Sequence, residues 1–263
     1  MKKRKHKKKE KNLFLVILIA LILFVLIILL EKNSNIILHD GDLYNENNFN
    51  KENMFYSYED ENYTSIIGID VSEHNGKIDW QKVKESGIEF AFIRIGWRGY
   101  TEGNIYIDSN FYENYQNAKE NNIKVGVYFF SQALNTTEAK EEAEFILKTL
   151  DGLTLDLPIV YDFENIDNEK ARSDSIDKET LTNNALTFFN ILENKYDVML
   201  YANNNLINNY YNMEKLSNYK LWYVQYHNKP QSTYNFTIWQ YSENGIVDGI
   251  NKKTDLNIMF IKK

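Results

Sequence analysis

The chain has 263 residues, a formal net charge of −7, 43% hydrophobic and 14% aromatic side chains, and no cysteine. That composition supports a sizeable core and excludes global disorder; the lack of cysteine excludes a disulfide scaffold, thiolate metal sites and a cysteine nucleophile. Four histidines, His6, His39, His74 and His227, form no HExxH pair, so neither a metal centre nor a cofactor is expected.

The charge is unevenly spread. Met1–Asn12 holds eight Lys or Arg against one Glu, and this tail of +7 leaves −14 for the rest of the chain. Leu13–Leu30 follows, without charge, Gly or Pro. As a helix it reaches about 27 Å, close to the roughly 30 Å of a bilayer's hydrocarbon core. A cleaved signal peptide normally has a shorter apolar stretch that ends in small residues, whereas Glu-Lys-Asn-Ser-Asn follows here. A basic block beside an apolar span marks cytoplasmic retention rather than nucleic-acid binding. The expectation is a cytoplasmic tail (1–12), one transmembrane anchor (13–30) and an acidic body outside the cytoplasm. Residues 31–65, rich in Asn, Glu, Asp and Tyr without a clear period, read as an extracytoplasmic stalk, with Tyr56 and Tyr58 able to pack on the body instead.

From Ile66 onward, β-branched and aromatic runs alternate with helical patterns, as parallel βα units do. Eight strands are predicted: Ile66–Asp70, Phe90–Ile95, Lys124–Phe130, Pro158–Phe163, Val198–Ala202, Leu221–Gln225, Thr237–Tyr241 and Leu256–Ile261. Helices are predicted at Trp80–Glu85, Ser109–Asn121, Thr137–Leu150 and Lys178–Lys195. Thr137–Leu150 opens with a Ser/Thr-type cap and sets Ala139, Ala143, Ile146 and Leu150 at helical spacing. After Tyr219 the strands crowd together with no long helix between them. The fold class is α/β, a TIM-type barrel with its later helices shortened or missing; an open doubly wound sheet is the alternative. No GxGxxG or GxxxxGK[ST] motif favours a nucleotide.

The chemistry concentrates in Leu157–Glu164, LPIVYDFE. Residues two apart on a strand share a face, so Asp162 and Glu164 project together into the barrel mouth. Their mutual repulsion lets one keep a proton, the condition for a general acid beside an ionised partner. Asp70 ends the first strand and converges on the same face. Asp255 does not follow from that rule, because it precedes its strand. Aromatic rings at strand ends, Trp97, Tyr128, Tyr201, Trp222, Trp239 and Tyr241, offer flat faces for sugars or serve as ordinary core.

These segments, with GIDVSEHNGKIDW (Gly68–Trp80), FAFIRIGWRGYTEG (Phe90–Gly103), VGVYFFSQA (Val125–Ala133), LWYVQY (Leu221–Tyr226), IWQYSENGIVDGI (Ile238–Ile250) and TDLN (Thr254–Asn257), occur in an order that resembles the glycoside hydrolase family 25 muramidases, or Chalaropsis-type lysozymes. The resemblance covers residues 66–263. It implies a modified TIM-type (β/α)5(β)3 barrel, and hydrolysis of the bond between N-acetylmuramic acid and N-acetylglucosamine in peptidoglycan. By motif it makes Glu164 the general acid/base and Asp162 its partner at the substrate's 2-acetamido group, with Asp70 and Asp255 completing the acidic cluster. Tyr128, Tyr201, Trp222, Gln225 and Trp239 become subsite lining. The family often has Gln before the Gly where this chain has Asn75-Gly76, and His74 beside it reads as an exposed loop residue. The implied partner is the glycan strand, with the membrane as anchor and no nucleic acid. A chitinase-like glycosidase and a non-catalytic, membrane-tethered wall-binding protein are the alternatives.

Overall fold

The computed structural model describes residues 44–166, 168–173 and 175–263. The expected tail (1–12) and membrane anchor (13–30) lie outside the described residues. Among the described residues no helix is long and apolar enough to cross a membrane.

All eight predicted strands form. Two short strands, β1 (Phe49–Glu52) and β2 (Phe55–Tyr58), precede them as an antiparallel hairpin. The barrel strands are β3 (Tyr63–Val71), β4 (Phe90–Arg98), β6 (Lys124–Ser131), β7 (Ile159–Phe163), β8 (Val198–Asn203), β9 (Lys220–Val224), β10 (Ile238–Gly245) and β11 (Thr254–Lys262); β5 (Ile105–Ile107) is an outlying strand on β4. Neighbours run from β3 through β11, β10, β9, β8, β7 and β6 to β4, and β4 pairs with β3. The ring is closed, which removes the open-sheet alternative. Seven strands are parallel, and β11 alone runs antiparallel to both its neighbours.

Helices follow the first strands: α1 (Trp80–Glu85), α2 (Phe111–Glu120), α3 (Thr136–Thr149) and α4 (Lys178–Leu192), then only a π-turn (Leu206–Tyr210) and the one-turn α5 (Met213–Leu216). Asp79, Asn135 and Asp177 cap α1, α3 and α4 by accepting backbone N–H groups of the first turn. The cap of α3 is thus Asn135 rather than the Ser/Thr expected, because the helix starts one residue earlier.

Strand alternation builds two layers of core. On β7, Val160 and Asp162 face the barrel interior, while Ile159, Tyr161 and Phe163 pack outward, Tyr161 against Phe188 and Phe189 of α4. The interior is filled by Phe90, Phe92, Val160, Met199, Trp222, Ile238 and Met259. Gly126 makes this filling possible, since a Cβ there would sit 2.4 Å from the Phe92 ring.

The missing helices would leave the outside of β10 and β11 bare, and the segment before the barrel covers it. Trp239 and Tyr241 project outward and are buried under Tyr56, with Phe49 also against Trp239. Tyr44 stacks on Phe260 at 3.8 Å between centroids and donates to the Phe236 carbonyl at 2.8 Å. The two-residue turn Asn53-Met54 works because Asn53 takes a positive φ of 55°, which Asn tolerates better than most residues. The expected stalk at 31–65 is corrected accordingly: residues 44–65 belong to the folded unit, and 31–43 lie outside the described residues. Tyr44, Phe49 and Tyr56 are too sparse a pattern to stand out among Asn and Glu.

Candidate active site

The C-terminal ends of the parallel strands surround a cavity of about 390 Å³. Asp70, Asp162, Glu164 and Asp255 all line it, together with Tyr128, Tyr201 and Trp222. Asp255 arrives there because β11 is antiparallel: in the β3–β11 register Asp255 sits opposite Asp70, so the start of one strand meets the end of the other.

Two expected lining residues lie elsewhere. Trp239 is fully buried on the outer face. Gln225 turns its side chain to Gln231, and its carbonyl accepts from Trp239 Nε1 at 2.9 Å. Parity is the reason, since Ile238 and Gln240 face inward and Trp239 between them must face outward. Residues the sequence reading missed include Arg94, Tyr226, Gln240, Glu243 and Lys253 on the wall, and Asn257 beneath it. The available signal was a polar Gln240 and a polar Asn257 at inward positions of strands otherwise rich in apolar residues. His74 is exposed, as expected, on the cavity rim. Asn75 has a structural use: it accepts the Ser72 N–H at 2.9 Å and donates to the Lys253 carbonyl at 3.2 Å, joining the loops that carry Asp70 and Asp255.

A buried hydrogen-bond chain fixes Asp70. Tyr201 and Tyr226 hydroxyls both donate to Gln240 Oε1, at 3.1 and 3.0 Å. Gln240 Nε2 donates onward to Asp70 Oδ2 at 2.9 Å, and Asn257 Nδ2 reaches the same oxygen at 2.7 Å. Trp222 Nε1 in turn donates to Asn257 Oδ1 at 2.8 Å. Each amide has donors on its oxygen and a carboxylate on its nitrogen, so its orientation is determined. Burial pushes Asp70 up to about 6, with the two amides opposing it, and pushes Asp255 up to about 9, with the Asp70 charge adding. Both carboxyls therefore hold a proton more tightly than free ones do, Asp255 the more so.

Asp162 is buried, and its Oδ1 has no hydrogen-bond partner among the described residues. Burial holds its carboxyl well above the usual range, and the charges of Glu164, Asp70 and Asp255 add, while Arg94 opposes them. Arg94 is the nearby cation, fixed by Asp108 at 2.8 Å and by Glu73 at 3.3 Å. Glu164 follows the end of β7 and is exposed at the rim, its carbonyl held by Gln132 Nε2 at 3.0 Å. Enclosure by the wall raises its carboxyl, Tyr201 lowers it and the Glu243 charge raises it. The arrangement can deliver a proton from Glu164 and set a carboxylate oxygen of Asp162 against a substrate N–H.

The model of the glycosyl hydrolases family 25 matches residues 69–250, most of the chain and the whole of this cavity apart from its last-strand wall. The chain belongs to glycosyl hydrolase family 25. It is 33% identical over 192 residues to the autolytic lysozyme of Clostridium acetobutylicum, which covers 72% of this chain and 54% of that protein. The chain thus spans about half the length of that relative. A family 25 glycosyl hydrolase from Bacillus anthracis superposes with a TM-score of 0.63 at 25% identity, covering 80% of this chain and 94% of that one. The modular autolysin LytC from Streptococcus pneumoniae, solved in complex with a synthetic peptidoglycan ligand, shares the fold with a TM-score of 0.67 at 22% identity, over 81% of this family 25 chain and 52% of LytC.

The Asp255 proton has a measurable consequence for this family 25 domain. An unfolded Asp titrates at 3.8, so between 3.8 and about 9 the folded chain keeps a proton that the unfolded chain releases. The stability this proton gives is fully present below 3.8 and is lost as pH rises through about 9. Asp255→Asn, which keeps a neutral donor beside Asp70, is expected to raise Tm at about pH 9 and leave it unchanged at about pH 3.5. Calorimetry at the two pH values checks this; equal Tm changes at both would remove the assigned proton.

Proposed function

We propose that this chain is a peptidoglycan muramidase, a lysozyme that hydrolyses the β-1,4 bond between N-acetylmuramic acid and N-acetylglucosamine. The observation that carries the reading is the carboxyl pair Asp162 and Glu164 in the mouth of a family 25 barrel, with a buried, unpartnered Asp162 oxygen. Glu164 protonates the glycosidic oxygen as the substrate's acetamido oxygen attacks the anomeric carbon and the bond breaks. Asp162 accepts the acetamido N–H, and the positive charge developing on that group favours ionised Asp162. Glu164, now a carboxylate, takes a proton from the water that reopens the cyclic intermediate. Two displacements at one carbon give retention. Acids two residues apart at the end of β7 suit this route better than an inverting one, which needs carboxyls roughly 6.5–9.5 Å apart with a water between them. Asp70 and Asp255 position the pair, and Tyr128, Tyr201 and Trp222 line the sugar site.

The reading extends to location. The apolar run Leu13–Leu30 behind a +7 tail supports a single-pass membrane protein with residues 1–12 in the cytoplasm and the barrel outside. Tethering near its polymer raises effective concentration, the service that wall-binding modules give a released enzyme. Protease added to intact cells is expected to digest the barrel and spare the tail; a protected barrel contradicts this topology. For the activity itself, the purified full chain in detergent is expected to clear peptidoglycan in a zymogram and to leave glycol chitin intact, and the reverse pattern would favour a chitinase.

A further inference from the structure

The catalytic cavity does not end at the barrel mouth. A second cavity of about 310 Å³ adjoins it through Tyr226 and Glu243, which line both. Its far wall is the N-terminal hairpin, through Lys51, Met54 and Tyr56. Its remaining wall comes from the loop after β9 and the bulged end of β10, where Asn228, Ser242 and Asn244 present polar side chains. Tyr226, 46% exposed, lines both cavities where they meet. The hairpin lies outside the 69–250 segment that matches the family model.

The chemistry of this wall is specific. Amide and hydroxyl side chains that both donate and accept, next to an exposed aromatic ring, suit sugar hydroxyls and acetamido groups. Lys51 supplies a cation in a body of net charge −14, its ammonium 4.8 Å over the Tyr56 ring. A neutral aminosugar polymer has no use for it. A glycan whose alternate sugars carry a lactyl group with a peptide, and hence carboxylates, does.

We propose that hairpin β1–β2 and the facing loops form an outer subsite for the glycan strand beyond the sugars held at Asp162 and Glu164, with Lys51 meeting a carboxylate of a muramic acid or its peptide. The proposal rests on the muramidase reading and adds a binding element outside the catalytic mouth. A cleft extended in this way favours long strands over short ones, because remote contacts add to the binding of polymer alone.

The test is a charge series at Lys51, an exposed side chain whose replacement leaves the barrel core untouched. In the full chain, in detergent and at low salt, Lys51→Ala is expected to raise KM for polymeric peptidoglycan about threefold and Lys51→Glu about tenfold, with kcat unchanged. Lys51→Arg should restore wild-type KM, Tm should not move, and KM for a short oligosaccharide that reaches only the carboxyl pair should be the same in all variants. A Lys51→Glu chain with wild-type KM on polymer, or an equal loss on polymer and short oligosaccharide, overturns the proposal. A wild-type chain that cuts neither substrate is a different result: it overturns the muramidase reading, and the outer subsite with it.

Discussion

Glu164→Gln is expected to lower turnover of peptidoglycan by about 10²–10⁴-fold, the range that a positioned acid/base group contributes. The substitution keeps the size of the side chain and replaces the ionisable carboxyl with a neutral amide. The rim position of Glu164 and the anchoring of its carbonyl by Gln132 mean that the β7 end does not depend on the carboxyl. Folding should therefore be intact, and Tm should stay level or rise, since one charge leaves an acidic cluster. Steady-state kinetics with thermal denaturation reads both. A Glu164→Gln chain that works at near wild-type rate would move the acid/base role to another residue.

Asp162→Asn is the second large effect, and its two readouts go in opposite directions. Activity is expected to fall by about 10²–10³-fold, as when a preorganised electrostatic contact to a developing charge is removed. Stability should rise, most at neutral and alkaline pH. The carboxyl is buried, its Oδ1 is unpartnered among the described residues, and Glu164, Asp70 and Asp255 all oppose its ionisation. The unfolded chain releases that proton near 3.8, so the raised folded value costs stability increasingly as pH rises above it. Asparagine ends that cost. Loss of both activity and stability would mean that Asp162 serves the fold rather than the reaction.

Much of this architecture is legible in the sequence because parallel βα units carry long, regular signals. All eight barrel strands lie where β-branched and aromatic runs predict them, and α1 has its predicted bounds at Trp80–Glu85. Three of the four acids are legible for the same reason: they end or follow parallel strands, and the strand rule sends those ends to one mouth. Asp255 breaks the rule because direction is not a property of local sequence. Only the pairing of β11 with β3 turns its first residues toward the cavity. Ring type misplaces Trp239, whereas alternation along Ile238-Trp239-Gln240 would have pointed to Gln240. The hairpin is the least legible part. Its strands are four residues each, and its partner surface exists only because the barrel lacks its last helices.

The formal charge of −14 also has a physical counterpart at the mouth. The four acids of the mouth are part of the −14, yet burial and mutual repulsion keep protons among them, so the formal count overstates the charge that a substrate meets. Lys51 then stands out as a cation on the route that a polyanionic strand would follow.

The muramidase reading stands on the bond that is cut. Purified full chain in detergent, incubated with peptidoglycan, should release muropeptides whose new reducing ends, marked by borohydride reduction and identified by mass spectrometry, are N-acetylmuramic acid. Reducing ends on N-acetylglucosamine, or no soluble product from a folded chain, would contradict it.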